Sequence, residues 1–472
     1  MCGIVGYVGP REARPLLLAG LQKLEYRGYD SAGISVLDGD RIDTVRAVGN
    51  LSALRGAIDA RTQAEAAAAA SNGRIALAEK AVGTGIGHTR WATHGRVTEE
   101  NAHPHFDTTD RVHIVVNGIV ENYIALKVKL AGEGAIFTSE TDAEVIAHLV
   151  AHHYEGDLVE AVRAAYADLR GHYAFVAMIA DQPGLLVGAR RECPLIVGRG
   201  DGEQFIASAI PAFLSDTHRV QYIGDDELVV LTPEDVRFLT PEGEPVEHEI
   251  VEIDWDAEAA EKQGYETFML KEINEQASAV AETIGERAAR GWGIDLGILG
   301  PAGDVDSSVI DDAFLRSVRR IVIVACGTAY HAGLIGRYAI EHWARVPVEV
   351  DVASEYRYRD PVVGPDDLVI GISQSGETLD TLVAMRTARE RGARVLALTN
   401  VMGSQATREA DGVLYTRAGL EIGVAATKTF VAQITAMYLI AFRLAEVRGV
   451  MDRKQLKPPI SDLKRLPHMI AE

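Results

Sequence analysis

Cys2 is the residue with the most chemistry within reach. The chain begins Met1-Cys2-Gly3-Ile4-Val5-Gly6. Removal of Met1, expected before so small a residue, leaves Cys2 with a free α-amine beside its thiol. An α-amine titrates near ~7.7–8.0 and a thiol near ~8.5. The amine can therefore take the thiol's proton at neutral pH and return it to a leaving group. One residue would then act as both nucleophile and base. The plainer reading is a cysteine that opens a buried strand, Cys2 to Val8.

Four further stretches carry residue types that could converge on such a thiol. They are Tyr26-Arg27-Gly28-Tyr29-Asp30-Ser31-Ala32-Gly33, Gly87-His88-Thr89-Arg90-Trp91-Ala92-Thr93-His94-Gly95, Val116-Asn117-Gly118-Ile119-Val120-Glu121-Asn122 and Ser139-Glu140-Thr141-Asp142. Each has a purely structural alternative. Arg90 could be a surface ion-pair partner, Asn117-Gly118 a plain turn, and Asp142 a cap on the helix that follows. His88, His103, His105 and His94 suggest a metal only weakly, because no H-E-x-x-H run or cysteine pair accompanies them. No metal and no cofactor is expected.

The second half offers two loops of one kind. Ala325-Cys326-Gly327-Thr328-Ala329 and Ile372-Ser373-Gln374-Ser375-Gly376-Glu377-Thr378 each follow a short apolar run and precede a helical pattern. Hydroxyls and free backbone N–H groups at a helix N-terminus favour a phosphate. Neither loop has a lysine or a Walker A pattern, which points away from a nucleoside triphosphate and toward a small-molecule monophosphate. Ordinary N-caps would look the same in isolation. Glu421-Ile422-Gly423-Val424-Ala425-Ala426-Thr427-Lys428 has no mechanism of its own.

These groups need scaffolds, and 472 residues are too many for one core. Residues 1–240 alternate short β-rich runs (Ile34–Leu37, Val112–Val116, Ala174–Ala180, Leu185–Ala189) with helical patterns (Ala13–Leu24, Asp142–His153). A layered α/β or α+β domain fits that alternation. The alanine tract Ala64–Ala70, closed by Asn72-Gly73, reads as a surface helix with a glycine stop. Residues 241–262 are acidic and read as a linker or exposed edge, with helical pattern resuming over Tyr265–Gln276. From Arg320 onward, Ile321–Ala325, Leu368–Ile372 and Val395–Leu398 are continuous apolar runs suited to a parallel sheet buried on both faces. The helical segments Ala329–Trp343 and Leu379–Arg391 separate them. That pattern predicts a doubly wound α/β domain with ligand beyond the carboxyl ends of its strands. Ser461–Glu472 is a helical pattern without a terminating signal, as in a chain cut inside an element.

A net charge of −21 argues against nucleic acid and anionic membrane surfaces as partners. The three cysteines, Cys2, Cys193 and Cys326, are widely spaced and odd in number, as in reduced cytoplasmic proteins. No leader pattern opens the chain. The apolar stretch Val431–Val447, broken by Gln433, Arg443 and Glu446, reads as a buried or amphipathic helix and not a membrane span.

Taken jointly, the four N-terminal stretches resemble the glutamine amidotransferases with an N-terminal cysteine nucleophile, over residues 2–240. The resemblance implies an αββα Ntn-hydrolase sandwich in which Cys2 attacks the side-chain amide of L-glutamine. Asn117 (side chain) and Gly118 (backbone N–H) would form the oxyanion hole, and a glycine there lets the backbone approach closely. Arg90 would hold the substrate α-carboxylate and Asp142 its α-ammonium. Thr93, His94 and Arg27 would line the site, and Trp91 would gate ammonia. The second half resembles a sugar-isomerase (SIS) domain. That implies Thr328, Ser373, Gln374, Ser375 and Thr378 on a sugar phosphate, with Glu421 and Val424 against the sugar.

In this order the two halves, with the junction Met269-Leu270-Lys271-Glu272-Ile273-Asn274-Glu275-Gln276, resemble the glutamine–fructose-6-phosphate aminotransferase (isomerizing) family. Expected domains are the amidotransferase (1–240), an acidic linker and junction helix (241–300), a first SIS domain (301–450) and the start of a linker to a second SIS domain (451–472). The expected chemistry is amide-nitrogen transfer from glutamine to fructose 6-phosphate, giving glucosamine 6-phosphate and glutamate, in a cytoplasmic homodimer. Ala426 stands where the family usually has serine. The family's isomerisation carboxylate, ring-opening histidine and Schiff-base lysine belong to the second SIS domain and are not assigned here. This stretch of chain is therefore expected to hydrolyse glutamine without completing synthesis. Two rivals stand beside that reading: an amidotransferase with another acceptor, such as phosphoribosyl diphosphate, and a non-catalytic sugar-phosphate sensor.

Overall fold

Strand Gly3–Gly9 is buried along its whole length, because it is central in one of two stacked sheets. The computed structural model describes residues 2–25, 28–72, 83–92, 94–253, 264–288, 293–301, 309–423 and 425–472, with backbone only over 64–72. Cα packing divides the chain into two units, Met1–Ala260 and Glu261–Glu472.

In the first unit an eight-stranded sheet runs in the order Val251–Glu252, Arg219–Tyr222, Ile196–Arg199, Gln204–Ala207, Gly3–Gly9, Gly83–Arg90, Ser31–Asp38, Arg41–Val48. A seven-stranded sheet runs in the order Pro245–Val246, Val236–Leu239, Glu227–Leu231, Leu186–Arg191, Gly171–Ile179, Val112–Val120, His105–Phe106. Three layers of apolar packing show how they stack. Ile4, Val8 and Ile86 meet Val115, Ala174, Val176 and Met178 between the sheets. Val5, Tyr7 and Ile34 pack outward against Leu17, Leu21 and Leu24 of helix Ala13–Leu24. Ile114, Val116 and Phe175 pack outward against Ile146 and Leu149 of helix Glu144–His153 and Val162 of helix Leu158–Asp168. Period-two alternation thus feeds both faces of each sheet, which gives the expected αββα sandwich. Each fully buried Leu or Ile contributes roughly 1.5–3 kcal/mol.

The boundary expected at residue 240 lies later. Pro245–Val246 pairs with Val236–Leu239, and Val251–Glu252 pairs with Arg219–Tyr222. The acidic composition that suggested a linker belongs to edge strands, where charge is common. Asp142 is no helix cap either; the next helix begins after Ala143.

The second unit has one parallel sheet in the order Val348–Val352, Arg320–Ala325, Asp367–Ser373, Arg394–Thr399, Gly412–Tyr415. Ile321, Ile323, Leu368, Ile370 and Leu396 face helices Gly327–Trp343 and Lys428–Val447. Val322, Val324, Val369, Val395 and Ala397 face helix Leu379–Glu390. Both faces are covered, as the continuous apolar runs required. Among the described residues, one helix is long and apolar enough to cross a membrane, Lys428–Val447, with mean hydropathy 1.5. Ala436, Met437, Leu439 and Ile440 bury it in the core of this unit. Residues 451–472, expected as the start of a linker, form helix Arg453–Ala471, which adds Leu456, Ile460 and Leu463 to the same core.

Candidate active site and phosphate loops

Cys2 immediately precedes strand Gly3–Gly9, whose neighbour Gly83–Arg90 pairs Gly3 with Thr89. The end of that neighbouring strand therefore lies beside the thiol. Trp91 N donates to Cys2 Sγ at 3.3 Å, and the thiol reaches Trp91 O at 3.6 Å. Burial pushes the Cys2 thiol up, while the Trp91 N–H and the Arg90 guanidinium oppose that shift.

Asn117 and Gly118 lie in strand Val112–Val120 of the other sheet and are not a turn. Asn117 Nδ2 donates to the backbone carbonyl of Cys2 at 3.1 Å. Gly118 has φ +100°. A Cβ there would lie 2.1 Å from His172 O and 2.9 Å from Cys193 Sγ, so only glycine fits. Nothing in the order of residues marks Cys193 as a neighbour of this strand. Burial pushes its thiol up to about 12.

Arg90 is 4% exposed and is no surface ion-pair partner. It donates to the carbonyls of Arg96 (3.1 Å), Gly95 (3.4 Å) and His94, pinning the 94–96 loop. Glu140 accepts from Arg96 N and Asn101 Nδ2 and ties that loop to the Ser139–Asp142 stretch. Asp142 accepts from Val120 N at 2.7 Å. Asp30 accepts from Ala92 N at 2.8 Å. Both carboxylates act electrostatically on Arg90. Asp30 stands inside the first motif, yet its residue type alone assigns it no role. Gly28 abuts the end of the Arg90 strand, where a Cβ would lie 2.5 Å from Arg90 C. Trp91 is 36% exposed and makes an edge contact with Tyr29, centroids 5.3 Å apart. His94 is half-buried with its ring 6.2 Å from Tyr123. Arg27 and Thr93 lie outside the described residues.

Behind Asn117 stands a buried row of imidazoles. His88 and His103 stack at 4.1 Å, and His103 and His105 lie 4.3 Å apart. Burial lowers all three, His88 and His105 to about 3. His88 and His103 are stacked and His105 is tilted by 59° to His103, and among the described residues no His/Cys/Asp/Glu group is arranged to hold a metal ion.

In the second unit the strand order reverses direction between Arg320–Ala325 and Asp367–Ser373, which pair Ala325 with Ile372. The two hydroxyl-bearing loops leave the carboxyl ends of these adjacent strands. That is the switch point where open α/β sheets bind ligands. Thr328 is exposed in the first turn of helix Gly327–Trp343. Ser373 Oγ accepts from Gly376 N at 3.0 Å and lies 2.9 Å from Thr378 Oγ1. Ser375 Oγ accepts from Glu377 N at 3.2 Å, and Gln374 O accepts from Asn400 N at 3.1 Å.

Glu421 has a different set of partners. Its carboxylate accepts from Thr427 N, Thr429 N and Thr429 Oγ1, so it caps helix Lys428–Val447. Glu272 holds the same loop by accepting from Ile422 N and Gly423 N. Val424 lies outside the described residues.

The sequence profile described as "Glutamine amidotransferase domain" matches residues 88–215, and that described as "SIS domain" matches residues 314–443. The molecule is thus a glutamine amidotransferase domain followed by an SIS domain. Glutamine–fructose-6-phosphate aminotransferase [isomerizing] of Caldanaerobacter subterraneus subsp. tengcongensis is 47% identical over 470 residues, covering 100% of this chain and 73% of its own length. The Streptomyces coelicolor protein of that name is 48% identical over 467 residues, covering 98% and 72%. A solved C-terminal domain of glucosamine-fructose-6-phosphate aminotransferase from Francisella tularensis overlaps 44% of this chain and 56% of its own at 37% identity, with a TM-score of 0.40. On the sequence relatives, the chain belongs to the glutamine–fructose-6-phosphate aminotransferase (isomerizing) family and spans about three quarters of their length.

Proposed function

We propose that the chain carries the glutamine-hydrolysing half, and part of the sugar-phosphate half, of an enzyme that moves the amide nitrogen of L-glutamine to fructose 6-phosphate. The products would be glucosamine 6-phosphate and L-glutamate. The observation that carries the proposal is the meeting of Cys2, Trp91 and Asn117 from two different sheets at one strand end.

With Met1 removed, the Cys2 α-amine takes the thiol proton and Sγ attacks the glutamine amide carbon. The carbonyl oxygen becomes an oxyanion, which the Asn117 Nδ2–H and the Gly118 N–H stabilise. Collapse returns the proton to the leaving nitrogen and gives ammonia and a γ-glutamyl thioester, and water then releases glutamate. Arg90 and Asp142 serve the α-carboxylate and α-ammonium, with Arg27, Thr93 and His94 around them and Trp91 gating ammonia. Arg90 then serves both the substrate and the 94–96 loop, whose carbonyls it already holds. Thr328, Ser373, Gln374, Ser375 and Thr378 would receive the sugar phosphate. Val424 would lie against the sugar; Glu421, committed to its cap, would shape the loop around it. A homodimer and a cytoplasmic location rest on the family resemblance alone.

The test is glutamate release from glutamine by the 472-residue chain and by Cys2→Ala, with and without fructose 6-phosphate. Release that disappears in Cys2→Ala supports the proposal. No release from folded protein with Met1 removed overturns it.

A further inference from the structure

We propose that His88 is a positioning residue that fixes the amide of Asn117 with its nitrogen, and not its oxygen, toward the reacting carbonyl. The inference rests on the glutaminase reading and adds a residue to it.

An asparagine amide has two ends of opposite character. The NH2 end stabilises a developing oxyanion, and the oxygen end repels it. A half-turn about the last side-chain bond exchanges them, so something must choose. His88 Nε2 lies 3.0 Å from Asn117 Oδ1 and 3.0 Å from Val116 O. A ring nitrogen facing two oxygens has to carry a hydrogen. The imidazole is therefore the Nε2–H tautomer, and it donates to both.

Three observations support this assignment. Burial holds the ring neutral, so it carries a single N–H. Its other nitrogen, Nδ1, is buried and has no hydrogen-bond partner, as fits a bare nitrogen whose proton is on Nε2. The far end of the amide agrees, because Asn117 Nδ2 donates to Cys2 O at 3.1 Å and keeps its second hydrogen free. An unpaired buried nitrogen costs stability that an apolar side chain of the same shape would avoid. The bond to Asn117 is what the fold obtains in exchange.

The ring is itself braced. His103 stacks on it with planes 23° apart and accepts the Val116 N–H at 3.3 Å, so the two histidines grip both sides of residue 116. His88 is two residues before Arg90 on one strand, and with period-two alternation both point between the sheets. A single strand thus supplies a substrate-side cation and the bond behind the oxyanion hole.

The experiment is a double-mutant cycle read by steady-state glutaminase kinetics, with His88→Phe, Asn117→Ala and the double variant, and His88→Gln as the conservative replacement. Loss of release in Cys2→Ala and Asn117→Ala first tests the glutaminase reading by itself. His88→Phe is then expected to lower kcat by about 10–100-fold with KM for glutamine changed less than about threefold. In the Asn117→Ala background the same change is expected to cost less than about threefold. His88→Gln, whose amide N–H can take the place of Nε2–H, is expected to recover most of kcat. Alkylation of Cys2 by iodoacetamide, which needs no oxyanion hole, is expected to keep its parent rate in His88→Phe and His88→Gln.

Equal losses from His88→Phe in both backgrounds would overturn the proposal, as would unchanged kcat or a parallel fall in alkylation. Should His88→Phe not fold, two readouts remain. One is His88→Gln, for which a loss as large as that of Asn117→Ala overturns the proposal. The other is the nitrogen-15 spectrum of histidine-labelled parent chain, assigned against His88→Gln. A neutral Nε2–H form of His88 at pH 7 supports it, and an Nδ1–H form or an imidazolium overturns it.

Discussion

The two candidate sites are assembled in opposite ways. In the first unit the bonds around the thiol and the oxyanion hole join residues far apart in sequence: Cys2 with Trp91, Asn117 with Cys2, His88 with Asn117, Val120 with Asp142. In the second unit much of the polar bonding stays inside one loop, Ser373 with Gly376 and Thr378, and Ser375 with Glu377. A site assembled from distant strands is rigid and has no spare parts. A site of hydroxyls and backbone N–H groups on one loop shares its work among near-equivalent donors. Substitutions in the first unit should therefore act almost as switches, and those in the second should be graded.

Gly118→Ala should break the first site most completely. The new methyl would meet His172 O at 2.1 Å in backbone that disfavours side chains. Glutamate release should fall on the order of 10²–10³-fold while fructose 6-phosphate binding, followed by calorimetry, stays at its parent value. A fall in both would show that the two sites are less independent than their construction suggests.

Ser373→Ala should be milder. It removes one hydroxyl and leaves the Gly376 N–H without its acceptor. A neutral hydrogen bond is worth about 1 kcal/mol net, so fructose 6-phosphate affinity should drop by about 5–10-fold. A loss on the scale of Gly118→Ala would break the comparison.

A third effect separates the units by pH and is read in stability instead of turnover or affinity. His88, His103 and His105 are buried and neutral in the folded first unit, with His88 and His105 lowered to about 3. Unfolded, they take up protons near ~6.5. Between those values the unfolded state binds more protons, so stability is full above ~6.5 and is lost as pH falls toward 3. Burial opposes ionisation of Glu144, but bonds from Thr138 and Ser139, with His148 Nε2 3.7 Å away, lower its carboxyl to about 2, which adds a loss of the same sign at lower pH. The second unit's histidines, His331, His342 and His468, are exposed. Thermal unfolding between pH 7 and 5 should show the first unit losing on the order of 1 kcal/mol per histidine per pH unit below ~6.5, and the second much less. Equal acid sensitivity of both transitions would refute that assignment.

Much of this is legible in residue order. Ile321–Ala325, Leu368–Ile372 and Val395–Leu398 announce a sheet buried on both faces, and their continuous apolar character already puts the two phosphate loops at strand ends. Strand Val348–Val352 is not legible, because an edge strand alternating Glu349 and Asp351 with valines carries a weaker signal. The domain boundary expected at residue 240 falls too early for a related reason: the acidic tract hides two edge strands of only two residues each. In the first site the family motifs mark Cys2, Arg90 and Asn117. They cannot mark what His88 does, because its partner lies 29 residues away on another sheet. Nor can they show that Glu421 caps a helix, which depends on where Thr427 and Thr429 turn.

Helix Lys428–Val447 gives the chain an order of assembly during synthesis. The first unit has all of its described strands once Glu252 has been made, so it can close while the remainder is still being translated. The second unit cannot. Its parallel sheet, finished at Tyr415, has one face that lacks Met437 and Ile440 until that helix emerges, and Leu456, Ile460 and Leu463 come later still. For that interval the apolar sheet face is covered only by helix Gly327–Trp343, which leaves the later unit more open to misassembly during synthesis than the earlier one.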